Sequence, residues 1–216
     1  MSPSKDFYAV LSVPRASTPE QIRARFLELA RERHPDRFQG AARERAERDF
    51  LEITEAFNVL SNPQLRRQLD LELARPPADG ESDQSRLVRF HIEAGSGFYR
   101  DGNFFSAGES FERAVRLDPK SHQAWSGLAQ SLSHQRKFLP RALEASERAC
   151  ALEPMNAGYL KLAGRLHAEA GLWDRAERYY NEANTWGGED PAVLKALEDL
   201  RSRSRKSRGP LFGRGS

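Results

Sequence analysis

The sequence predicts an all-α protein: an N-terminal helical hairpin, then a three-unit solenoid of stacked helix pairs closed by a capping helix. Three observations predict it. Apolar residues recur at helical spacing on both sides of His34-Pro35-Asp36. Aromatic and small positions repeat every 34 residues through the second half, as at His91, Trp125 and Tyr159. Helix-start signals open the periodic stretches, Thr18-Pro19-Glu20-Gln21 and Asp190-Pro191 among them.

Taken in order, Phe7, Tyr8, Val10 and Leu11 form a short apolar segment that must pack on other elements to be stable. Thr18 is placed as an N-cap, Pro19 in the first helical position and Gln21 as the reciprocal partner of a capping box. Ile22, Phe26 and Leu29 then mark one face of a helix up to Arg33. Pro35 lacks an N–H and drives the residue before it out of the α region, so that helix ends near His34. Phe50, Ile53, Phe57 and Leu60 mark the face of a second long helix, and Asn62-Pro63 restarts a short third one through about Leu71, or on through Leu73. The two long helices are expected to lie antiparallel. His34-Pro35-Asp36 then forms an exposed, ordered turn that presents an imidazole and a carboxylate to a partner.

Residues 5–71 resemble a J-domain, the DnaJ family module. The matching stretches are Asp6 to Leu11, the helix from Glu20 to Arg33, the His34-Pro35-Asp36-Arg37 loop, and Phe50 to Pro63, with Arg66 and Asp70 fitting the closing pattern. The resemblance covers about a third of the chain. It implies a co-chaperone that docks on a DnaK-type (heat shock protein 70) chaperone and stimulates ATP hydrolysis there, with His34, Pro35, Asp36, Arg23, Arg31, Arg33 and Arg37 as the docking residues. Three positions depart from the pattern. Leu27 and Glu28 stand where the family usually carries basic residues, which leaves room for a dedicated partner, and Leu69 replaces a usual tyrosine.

Pro76-Pro77, Asp79-Gly80 and the surrounding Ser and acidic residues read as a linker over residues 72–87. The repeats follow over residues 88–188. Ala94, Leu128 and Leu162 share one register, Phe98, Leu132 and Leu166 another, and Ala107, Ala142 and Ala176 a third. The middle unit carries one extra residue around Arg136 to Pro140. Small residues such as Gly95, Ala107 and Ala114 admit close helix approach, while Phe98, Phe111, Trp125 and Tyr180 fill the layers between. One pair cannot bury its own apolar face, so the units stack.

This 34-residue pattern resembles tetratricopeptide (TPR) repeats. The resemblance implies a concave groove lined by the first helix of each pair, here by Ile92, Ser96, Tyr99, Gln130, Ser133, Leu160 and His167, that takes a protein client or adaptor. Some repeat proteins of this class clamp acidic chaperone tails with Lys and Asn. Ile92 and Ser96 stand where such a clamp would begin, so an apolar or mixed segment is the expected occupant.

Val193, Leu194, Leu197 and Leu200 suit a capping helix over residues 190–203. Residues 204–216 read as a basic disordered tail. Arg201, Arg203, Arg205, Lys206, Arg208 and Arg214 carry the chain's basic balance: losing these six cations against an unchanged 31 acids takes the formal charge from +3 to −3. Weak contact of the tail with nucleic acid or an anionic surface follows as an expectation.

Composition excludes several classes. No apolar run approaches the roughly 18 residues of a membrane helix, and no apolar signal segment follows the N-terminus, so a cytoplasmic protein is expected. Cys150, the single cysteine, rules out an intrachain disulfide or a cysteine zinc cluster. His91, His122, His134 and His167 show no metal-ligand spacing, and no phosphate loop or nucleophile elbow is present, so neither an enzyme nor a cofactor is expected. The competing functional classes are an assembly scaffold whose J-domain does not stimulate ATPase, and a nucleic-acid-associated protein anchored by its tail.

Overall fold

The computed structural model describes residues 6–74 and 82–207, with side chains through Arg203. Every regular element among the described residues is helical. The chain divides into two compact units, residues 1–94 and 95–216.

The first unit is built from α1 (Phe7–Leu11), α2 (Pro19–Glu32), α3 (Ala41–Ser61), α4 (Pro63–Ala74) and the opening turns of α5 (Asp83–Arg100). Local chemistry sets the boundaries. The Tyr8 N–H donates to Asp6 Oδ1, starting α1. The capping box on α2 forms in both directions: the Gln21 N–H donates to Thr18 Oγ1, and the Thr18 N–H donates to Gln21 Oε1 at 2.8 Å. Phe26 of α2 stacks on Phe57 of α3 at 4.2 Å, and Arg33 faces Asp49. Numbers rise along one helix as they fall along the other, so the two run antiparallel. Phe7, Leu11, Ile22, Leu29, Ile53, Ala56 and Leu60 form the buried interior.

A hydrogen-bonded knot ties the ends of this unit together. Arg66 of α4 donates through Nε to the Tyr8 hydroxyl and through Nη2 to the carbonyls of Arg15 and Ser17, while the Tyr8 hydroxyl donates to Asp70 at 2.8 Å. Burial and the adjacent Asp70 carboxylate hold the Tyr8 phenol above its ordinary pKa.

The stretch expected as a linker over 72–87 is shorter in the structure: α4 runs to Ala74 and α5 begins at Asp83, while residues 75–81 lie outside the described residues. The physical reason is packing that sequence periodicity does not reveal. Glu72, nearly buried, pairs with Arg89 and lies 3.8 Å from Arg86 Nε, and its carbonyl accepts from Arg86 Nη2. Phe90 packs on Phe7 with ring centroids 6.5 Å apart, and His91 faces Glu55 at 3.6 Å. The first half of α5 is therefore interior to the first unit, although its repeat register aligns it with Trp125 and Tyr159.

The second unit continues from the end of α5 through α6 (Phe104–Leu117), α7 (His122–Ser133), α8 (Leu139–Leu152), α9 (Ala157–Glu169), α10 (Trp173–Gly187) and α11 (Pro191–Ser207). Asn103, Ser121 and Asn156 cap the helices that follow them, each accepting backbone N–H groups. The extra residue of the middle unit is absorbed in a single 3-10 turn at Arg136–Phe138. Alanines 107, 114, 124, 129, 142, 149, 163 and 176 are fully buried and let the helices close up. Phe111 sits against two glycines: a Cβ on Gly95 would meet its ring at 3.0 Å, and one on Gly127 at 2.3 Å. Val193, Leu197 and Leu200 of α11 bury against Ala176 and Tyr180, whereas Leu194 stays 40% exposed. The capping helix expected over 190–203 runs on to Ser207, into the stretch expected as a basic disordered tail; the rest of that tail, 208–216, lies outside the described residues.

Candidate functional site

The turn between α2 and α3 is an ordered structure. His34 adopts extended backbone, and Pro35–Arg37 form one turn of 3-10 helix behind it. The Asp36 N–H donates to His34 Nδ1 at 3.3 Å, so the neutral ring accepts at Nδ1 and carries its proton on Nε2. Asp36 Oδ2 lies 3.4 Å from the same nitrogen, an ion pair whenever the ring is protonated. The edge of the His34 ring meets Phe50 of α3 at 5.3 Å. From the other side, Arg37 Nη1 donates to the Arg31 carbonyl at 2.8 Å, satisfying one of the orphan carbonyls at the end of α2. The turn is thus fixed by both helices while its functional groups face solvent: the side chain of His34 is 47% exposed and that of Asp36 76%.

Arg23, Arg31, Arg33 and Arg37 are also exposed, on α2 and the turn that follows it. Arg31, Arg33 and Arg37 lie within three residues of His34 in the chain and give the donor–acceptor tip a basic rim, while Arg23 stands about three turns back along α2. Sequence reasoning did not find the Phe50 edge contact or the Arg37 strap. Phe50 was legible only as a helix-face residue, and the Arg37 strap depends on how the turn folds back on α2.

The groove residues fare unevenly. Ser96 and Tyr99 of α5, and Gln130 and Ser133 of α7, are half-buried on the second unit; Ile92, also half-buried, falls on the part of α5 in the first unit. The Tyr99 hydroxyl hydrogen-bonds His134 Nε2 at 3.1 Å, and the His134 ring stacks on Phe104. Leu160 and His167 are not groove residues. Leu160 is 1% exposed and packs with Cys150, Ala163 and Ala183. His167 is fully buried, hydrogen-bonded to the Ala163 carbonyl at 2.9 Å and to Glu147 at 3.0 Å. Counting register along α9 from the other units put them on the open face, but Tyr179 and the Cys150 cluster cover that side of the helix.

No group of three or more His, Cys, Asp or Glu among the described residues is placed to hold a metal ion, and no described helix is long and apolar enough to cross a membrane.

Comparison with known proteins bears on both units. Residues 6–70 match the model of the DnaJ domain family. The chaperone protein DnaJ of Caldicellulosiruptor saccharolyticus is 44% identical over 70 residues, covering 32% of this chain and 18% of that protein. The chaperone protein DnaJ of Chlamydia abortus is 31% identical over 168 residues, covering 71% of this chain and 40% of that protein. The chain thus spans well under half the length of these curated relatives. Among solved structures, the TPR domain of Sgt2 from Aspergillus fumigatus superposes with a TM-score of 0.54 at 14% identity, over 66% of this chain and 93% of that domain. The architecture is therefore an N-terminal J-domain followed by a TPR-type helical solenoid.

Proposed function

We propose that this protein is a J-domain co-chaperone that stimulates ATP hydrolysis by a DnaK-type chaperone and recruits a client or adaptor through its repeats. The observation that carries the reading is the His34-Pro35-Asp36 turn, pinned by Phe50 and Arg37 yet open to solvent at its imidazole and carboxylate. Arg31, Arg33 and Arg37 flank it in the chain, with Arg23 farther back along α2, and they suit an acidic partner surface. The chain itself carries out no covalent step in this reading. The partner's ATP supplies the energy, and the J-domain supplies its timing and place. The site of action is the cytoplasm.

The repeats supply the cargo arm. Ser96, Tyr99, Gln130 and Ser133 make a largely neutral surface, which suits an apolar or mixed peptide segment better than an acidic tail. Alanine at Tyr99 is expected to lower partner recovery in a pull-down while leaving the fold intact; full recovery would count against the groove. Leu160→Ala is not a comparable test, because it opens a cavity in the core.

The deciding experiment is single-turnover ATP hydrolysis by DnaK-type chaperones of the source organism, with the wild-type protein and with His34→Gln. Stimulation by the wild type that His34→Gln abolishes supports the co-chaperone. Folded wild-type protein that stimulates none of them overturns it and leaves an assembly scaffold.

A further inference from the structure

The outer face of α2 carries a feature that the basic rim does not account for. Leu27 is 45% exposed, and residues at helical neighbour positions surround it. Arg23 lies one turn before it and Arg31 one turn after, both exposed. Ala24 and Ala30 complete the ring, so no carboxylate adjoins Leu27 on its own stripe. Glu28, its sequence neighbour, is drawn to the side by Arg25 at 3.0 Å. Glu32 points roughly 140° away around the helix, and Glu20 closes the stripe two turns earlier, about 10 Å off. The stripe leads toward the turn: Leu27 stands seven residues, roughly 10 Å along the axis, from His34.

A half-exposed leucine with two alanines is too small to be a separate apolar interface, and it sits inside a cationic strip. A partner that met this strip with carboxylates alone would leave one of them desolvated against Leu27, without a cation. Resting on the function proposed above, we propose that Leu27 is a specificity-determining contact: the cognate DnaK-type chaperone presents an apolar side chain there, flanked by carboxylates that pair with Arg23 and Arg31. The arginines steer the encounter and carry its salt dependence, while Leu27 sets how well the docked partner fits.

The test uses the full-length protein and a DnaK-type chaperone that the wild type stimulates. The half-saturating concentration in single-turnover hydrolysis is measured at several salt concentrations. Leu27→Ala keeps α2 intact, alanine being the best helix former. It is expected to raise the half-saturating concentration roughly tenfold at every salt concentration, with the salt slope unchanged. Arg23→Ala and Arg31→Ala are expected to weaken docking and flatten the slope. Leu27→Arg is expected to weaken docking as well. An unchanged value for Leu27→Ala, or tighter docking with a steeper salt slope for Leu27→Arg, would mean a uniformly acidic partner surface and would overturn the proposal while leaving the co-chaperone reading in place. A wild type that stimulates no DnaK-type chaperone removes both.

Discussion

At the scale of single residues, burial decides which side chains are chemically available. Cys150 is 7% exposed, packed with Leu160, Ala163 and Ala183. Burial, with the nearby carboxylates of Glu182 and Glu147 adding to it, pushes its thiol up to about 12. The nucleophilic thiolate is therefore scarce at neutral pH. A water-soluble thiol reagent at pH 8 is expected to leave the native protein unlabelled and to modify Cys150 stoichiometrically once denaturant unfolds the chain; rapid labelling of native protein would contradict this packing. His34 is the opposite case, exposed and held by Asp36 and Phe50. The turn at His34 was legible from the proline rule, whereas the atoms that hold its ring were not, because Phe50 belongs to another helix and only the fold brings it to the imidazole. Leu160 and His167 show the limit of register counting: the repeat places a residue on a helix, but only the neighbouring helices determine whether that place is open.

At the scale of elements, the chain's own signals set most helix boundaries. The capping box at Thr18 and Gln21, the break at Pro35, the restart at Pro63 and the cap at Asp190 were all readable as local chemistry, and each appears in the structure. The repeat spacing likewise located every helix pair, including the irregular turn near Arg136. What local chemistry could not give was the destination of α5. Its sequence follows the repeat register, but Glu72, Phe7 and Glu55 lie far enough away in the chain that no window reads them together. Packing between elements can be probed at Gly127, where a Cβ would lie 2.3 Å from the Phe111 ring. Gly127→Ala should improve helix propensity, yet overpack this junction. A net loss of about 1–3 kcal/mol is expected in a urea melt, with Phe111→Leu restoring part of it. A stabilised Gly127→Ala would mean that the ring moves aside at little cost.

At the scale of the whole molecule, the raised pKa values have one sign. Tyr8 in the first unit, and Cys150, Tyr159, Tyr179 and Tyr180 in the second, all hold their protons more tightly when folded than the free groups do, burial being the leading cause in each. For such groups the stabilisation is complete below the unfolded pKa and disappears as pH rises through the folded one. For Cys150 that window runs from 9.0 to about 12. The urea midpoint is expected to hold steady up to about pH 8.5 and to fall above it, with Cys150→Ala showing a shallower fall; a midpoint flat to pH 11 would refute the burial of these groups. The division into two units also bears on how such chains are cut and recombined. A graft taken at the edge of the family match, after Asp70, would leave Glu72, Phe90 and His91 behind and uncover Phe7. A graft taken after Ala94 carries them along. The transplantable J-module of this protein thus extends past its motif into the next helix, and a cut that keeps its packing falls within the first repeat rather than before it.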